Sequence, residues 1–212
     1  AGHRRSMSEN QRKAILNAVV NAGINLIDTA NDYGNSEELL GRYLYGRYSE
    51  FHISTKCGCS PSGHIWTRDN LYRALEESLE RMKLDQIEIM QMHNPSVWDC
   101  EQAGLVKVLQ EMQEQGMVKW IGVSTTLPHL PTFLDWNVFD VFQIPYSALE
   151  REHEEWITKA AESNIGILVR GGVALGEPGV GLGMADHWDI FEKAGLDELR
   201  DEDDSRSAFI LR

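Results

Sequence analysis

The chain has 212 residues, enough for one large domain, and its 42% hydrophobic and 25% charged residues are the balance of a soluble globular protein. A net charge of -13 repels nucleic-acid backbones, so no nucleic-acid partner is expected, and an anionic ligand would need a local cluster of basic groups. No apolar run is long enough to span a bilayer and no signal peptide opens the chain, which points to a cytoplasmic protein with no membrane partner.

Met7 to Ala22 places Ala14, Ile15, Ala18 and Val19 at helical spacing, with Ser8 as cap and Gly23 as stop. Ile24 to Ile27 reads as a short buried strand ending at Asp28. Ser36 opens a helix to about Tyr45, with Glu37 and Glu38 in its first turn, where negative charge is favoured. Phe51 to Ser54 is the next strand, and it leads to Lys56. Thr67 to Met82 is a helix with Leu71, Ala74, Leu75, Ser78 and Leu79 facing inward. Ile87 to Met92 is a strand ending at His93, and Glu101 to Gln115 a helix stopped by Gly116. Val118 to Val123 is a strand ending at Ser124. A weak helix near Leu130 leads to Val138–Ile144, a strand that carries Gln143. Glu152 to Ser163 is a helix, and Ile165 to Val169 a strand ending at Arg170. The tail holds a Gly-rich stretch from Gly171 to Gly183, read as a loop over the site, the aromatics Trp188 and Phe191, and a closing stretch from Ser207 to Leu211. Cys57, Cys59 and Cys100 are odd in number and fit no zinc spacing, so they read as ordinary thiols of a reducing compartment.

Six apolar strands in strict alternation with helices imply a parallel α/β fold. An open sheet that binds a dinucleotide carries a Gly-rich turn after its first strand. The turn here is Asp28-Thr29-Ala30-Asn31-Asp32-Tyr33-Gly34, which is no phosphate loop. Asp28, Lys56, His93, Ser124, Gln143 and Arg170 all fall at or near the C-terminal ends of strands. A TIM-type (β/α)8 barrel gathers those ends around one mouth, and that is the fold predicted.

The residues at those ends can donate a proton. A tyrosine keeps its proton at neutral pH, and a nearby ammonium stabilises the phenolate that forms when the proton leaves. Lys56 can supply the ammonium, Asp28 can pair with it, and His93 can hydrogen-bond and orient a carbonyl. No side chain delivers hydride, so a nicotinamide cofactor is needed.

Asp28 to Gly34 followed by Ser36-Glu37-Glu38-Leu39-Leu40-Gly41, then Ser54-Thr55-Lys56, Gln91-Met92-His93-Asn94-Pro95, and Gly116 to Ser124 together resemble the aldo-keto reductase signature, in order along most of the chain. The resemblance implies a (β/α)8 barrel, NADPH or less often NADH, and reduction of aldehydes and ketones. It implies a catalytic tetrad of Asp28, Tyr33, Lys56 and His93, and contacts from Ser124 and Gln143 to the nicotinamide amide. Thr125 stands where many members have Asn, and Arg170 where many place a Tyr under the nicotinamide ring; a guanidinium can stack there or meet a phosphate. Trp98, shortly after His93, is the substrate-pocket candidate. Against the family pattern the opening hairpin and first strand, and the last strand with its adenosine-binding loop, are missing. The expectation is therefore a single barrel domain truncated at both ends, of about six β/α units, whose open edges invite self-association.

Each residue alone has an ordinary reading. Asp28 could cap or turn, Tyr33 could be a half-buried loop aromatic, Lys56 a surface pair member and His93 a satisfied interior histidine. Ser124 and Gln143 could cap and bridge. Two other functions compete with reduction: a non-catalytic binding or regulatory subunit on the same fold, and a Schiff-base lyase using Lys56.

Overall fold

Helix α1 (Glu9–Asn21) begins at the Ser8 cap, which forms a capping box with Gln11: the Ser8 side chain accepts from the Gln11 N–H while the Gln11 side chain accepts from the Ser8 N–H at 2.8 Å. The computed structural model describes residues 7–172. The predicted stretches beyond Gly172, with Trp188, Phe191 and Ser207 to Leu211, lie outside the described residues. Strand β1 (Leu26–Asp28) leads into α2 (Ser36–Tyr43) and a 3-10 turn (Tyr45–Glu50). Then come β2 (His52–Cys57), a small hairpin of β3 (Cys59–Ser60) and β4 (Gly63–His64), and α3 (Arg68–Met82). Strand β5 (Ile87–His93) is followed by α4 (Val97–Ala103) and α5 (Leu105–Glu114). Strand β6 (Val118–Ser124), α6 (Leu130–Trp136), β7 (Val141–Pro145), α7 (Glu154–Glu162) and β8 (Gly166–Arg170) complete the series. All six strands predicted from the sequence are present.

The described residues divide into two compact units, one spanning Met7–Phe142 and the other residues 143–172. In the first, the strand order is β1-β2-β5-β6 and every neighbouring pair is parallel. The register sets Asp28 opposite Ser54, Lys56 opposite Gln91 and His93 opposite Ser124. Parallel strands aligned in this way bring their C-terminal ends, and the polar residues there, to one edge of the sheet. Ile53, Met90, Met92, Ile121 and Val123 of the strands are buried, as are Leu71, Ala74, Leu75, Leu109 and Met112 of the helices. In the second unit Tyr146 N–H donates to the Arg170 carbonyl at 3.1 Å, and α7 precedes β8. Among the described residues no helix is long and apolar enough to cross a membrane.

One prediction differs from what forms. The single helix expected over Glu101 to Gln115 is two helices. Ser96 caps α4 through a capping box with Asp99, and Gly104 adopts the left-handed conformation (φ 59°) that ends α4 and starts α5. In α1 the buried residue is Val20, and Ile15 is 48% exposed.

Helix α2 crosses the C-terminal end of α3 at Gly41. A Cβ built there would lie 2.0 Å from the Arg81 carbonyl oxygen and 2.9 Å from the Met82 Cα, both backbone atoms that cannot swing aside. Alanine is the better helix former by about 1 kcal/mol. The overlap outweighs this, since overpacking costs about 1–3 kcal/mol and more against a rigid neighbour. Gly41→Ala is therefore expected to lower stability by about 2 kcal/mol or more in urea denaturation. A loss under ~0.5 kcal/mol would mean that α2 and α3 are not this close.

Candidate active site

Asp28 closes β1 and Lys56 sits near the end of β2. The Lys56 side chain is 1% exposed, so its ammonium needs partners. It donates to Asp28 Oδ2 at 2.5 Å and to the Thr29 carbonyl at 2.7 Å. Gln91, one strand further on, fixes the other side of the carboxylate: its Nε2 donates to Asp28 Oδ1 at 3.2 Å and to Ser54 Oγ at 2.6 Å. Asp28 is thus held from two strands, and the ammonium is held by Asp28.

Tyr33 rides on the loop after β1. The loop closes through Tyr33 N–H to Ala30 O at 3.1 Å and Ser36 N–H to Tyr33 O at 3.2 Å. The Tyr33 ring is 48% exposed, with the Lys56 ammonium 5.2 Å from its centroid. The His93 ring meets it edge-on at 5.8 Å. On its other flank His93 Nδ1 lies 2.9 Å from Cys59 Sγ and 3.7 Å from Asp32 Oδ1. Burial, together with the Asp32 carboxylate, pushes the Cys59 thiol up to about 12. All four residues singled out for proton donation therefore converge within one compact unit.

Glu37 anchors the loop from behind. The sequence marks it as a first-turn charge, but its carboxylate is buried. It accepts from Thr55 Oγ1 and Ser78 Oγ, each at 2.7 Å, and from Arg81 Nη1 at 3.2 Å. Arg81 Nη1 also donates to the Asn31 carbonyl at 3.2 Å, two residues before Tyr33. Strand β2, helix α3 and the Tyr33 loop are joined through this one acid.

Ser124 is buried at the end of β6, the register partner of His93, and its carbonyl accepts from the Asn94 N–H at 3.0 Å. Gln143 is buried on β7 and Arg170 ends β8, both in the second unit. Trp98 lies in the first turn of α4 and is 66% exposed. Sequence reasoning missed Gln91, Asp32 and His64. Gln91 carries a weak signal, being a polar residue inside an otherwise apolar strand. His64 carries none, because its hairpin strands are two residues long.

The model of the aldo/keto reductase family matches residues 1–177. The uncharacterized oxidoreductase YqkF of Bacillus subtilis is 27% identical over 177 residues, covering 79% of this chain and 58% of that protein. The NADH-specific methylglyoxal reductase of Escherichia coli is 33% identical over 173 residues, covering 70% of this chain and 51% of that protein. The chain thus spans little more than half the length of these two curated relatives. An aldo-keto reductase from Bacillus halodurans, in its holo form, superposes with a TM-score of 0.76 at 24% identity, covering 95% of this chain and 72% of that one. That likeness gives the fold: these are β/α repeats of the aldo-keto reductase (β/α)8 barrel, six strands of it among the described residues.

Proposed function

The chain belongs to the aldo/keto reductase family, and from that premise we propose that it carries the proton-donating half of an oxidoreductase site that reduces an aldehyde or ketone to an alcohol with NADPH. The observation that carries the reading is the convergence of Tyr33, Lys56, Asp28 and His93. A carbonyl substrate reaches the half-exposed Tyr33 ring from solvent. With His93 Nδ1 turned to Cys59, its Nε2 is the nitrogen that meets the carbonyl oxygen and orients it. Tyr33 Oη gives its proton to the oxygen as negative charge develops there, and the buried ammonium of Lys56 stabilises the phenolate left behind. Asp28, held by Gln91, keeps that ammonium in place.

Ser124 and Gln143, each buried within its own unit, are proposed to meet a nicotinamide amide, as the family resemblance implies; a hydroxyl or an amide side chain can donate to such a group or accept from it. Arg170 is proposed to stack on the ring or meet a phosphate, and Trp98 to close the substrate side. When bound, the reduced nicotinamide supplies the hydride. The lyase reading is weaker, because the Lys56 ammonium is engaged by two acceptors, whereas an imine-forming lysine needs a bare amine.

Stopped-flow loss of NADPH absorbance against a panel of aldehydes and ketones, with NADH in parallel, tests this on the full-length protein. Turnover with the nicotinamide spectrum oxidised one-for-one with alcohol formed is the expected result. Cofactor binding without turnover of any carbonyl would overturn it in favour of a non-catalytic binding subunit.

A further inference from the structure

The hairpin after β2 does something the catalytic reading does not use. Cys59 and His64 are cross-strand partners in it, and such partners point to the same face of a two-stranded ribbon. That face is turned to His93. Cys59 Sγ is 2.9 Å from His93 Nδ1, and the His64 ring meets the His93 ring edge-on at 5.3 Å. One ligand atom from each of Cys59, His64 and His93 lies within 4.8 Å of the others.

We propose that Cys59, His64 and His93 form a binding site for a thiophilic divalent cation of the Zn2+ class at the rim of the active site. The donor set is one sulfur and two imidazole nitrogens, the set that tetrahedral zinc favours. Zn–S bonds of about 2.3 Å and Zn–N bonds of about 2.0–2.1 Å place tetrahedral donors some 3.3–3.6 Å apart. The cluster brackets that spacing, from 2.9 Å at its closest to 4.8 Å at its widest. Rotation of the exposed His64 side chain closes the difference. Asp32 supplies an oxygen for the fourth position: its carboxylate lies 3.7 Å from His93 Nδ1 and against the Cys59 thiol. A bound cation takes the place of the thiol proton, as it does at any cysteine ligand.

The surroundings preset the site. The His64 ring stacks on Trp66, 5.4 Å between centroids and 4° from parallel. Trp66 in turn packs against Gly58, where a built Cβ would come within 2.1 Å of the indole. Gly58 therefore has no side chain for a reason, and Trp66 holds the exposed histidine beside the buried cysteine before any ion arrives. Such outer support is what keeps ligands oriented in metal sites.

The binding itself does not rest on the carbonyl-reducing reading, since His93 enters it as an imidazole only; its bearing on turnover does. The test is therefore spectroscopic. Tag-free protein is titrated with Co2+ in a phosphine reductant. One equivalent is expected to raise a thiolate-to-cobalt charge-transfer band with the visible bands of a tetrahedral ion, bleached by added Zn2+. Cys59→Ser is expected to abolish the charge-transfer band, whereas Cys57→Ser and Cys100→Ser keep it. His64→Asn, on the exposed hairpin where folding is not at stake, is expected to weaken Co2+ binding about tenfold or more. No band at one equivalent, a band that survives Cys59→Ser, or wild-type affinity in His64→Asn would each overturn the proposal, whether or not the protein turns over a carbonyl.

Discussion

Tyr33→Phe is expected to lower carbonyl reduction about 10²–10⁴-fold while cofactor affinity stays within about twofold of wild type, that being the range a positioned general acid contributes. The substitution deletes one hydroxyl from a half-exposed ring and leaves the edge-on contact with His93 and the Lys56 ammonium over the ring in place. The loop hydrogen bonds of Tyr33 are made by its backbone, so they survive as well. Single-turnover kinetics with saturating cofactor, beside a fluorescence titration of binding, separates the two quantities. Full residual rate with weakened cofactor binding would make Tyr33 a cofactor contact instead of the acid.

Changes at the Lys56–Asp28 pair are expected to split rate from stability. Lys56→Met removes the buried charge and fills its path with an apolar chain of similar length. Asp28, 32% exposed, keeps Gln91 and gains water. Lys56→Met removes one partner of the pair, but the carboxylate left behind is part-exposed and keeps Gln91, so the loss is expected at about 1 kcal/mol, below the roughly 3–5 kcal/mol of breaking a fully buried pair. The rate should fall about 10²-fold or more, because the phenolate loses its counter-charge. Asp28→Asn does the reverse to the fold. It strands an ammonium that is 1% exposed with the Thr29 carbonyl and a neutral amide. Breaking a buried pair on one side costs about 3–5 kcal/mol, and the partial exposure of Asp28 brings the expected loss to the low end, near 3 kcal/mol. Urea denaturation of both variants beside their turnover decides it. If Lys56→Met proves the less stable of the two, the pair contributes more than its desolvation costs.

The strands, and the polar residues gathered at their ends, were legible because two independent signals coincided. Short apolar runs marked β1, β2, β5 and β6, and each ended in a polar residue whose chemistry had a use. Asp28, Lys56 and His93 stand out for that reason, whereas Tyr33 came only from the resemblance to the family signature. The register that brings them together is set by parallel pairing, which the strand ends already implied. What was not legible depended on partners remote in sequence. In α1 the apolar spacing says only which residues share a side, and burial needs something to cover it. Helical spacing runs unbroken through Gly104, and only its left-handed backbone reveals the junction. Glu37 satisfies a helix-dipole rule so well that its burial beneath Thr55, Ser78 and Arg81 had no separate trace. The β3–β4 hairpin is too short for any period, so His64 came to light only through its neighbours.

Arg81 has a consequence for anyone altering this protein. It emanates from α3, a helix whose outward residues look like free ground for surface engineering. Yet one of its nitrogens spans the buried acid Glu37 and the carbonyl of Asn31. A library that randomises α3 for solubility or crystallisation would include a residue bonded both to the buried acid and to the loop that carries Tyr33. Keeping Arg81, with Glu77 beside it to share the charge, keeps α3 tied to the buried acid and to the Asn31 carbonyl.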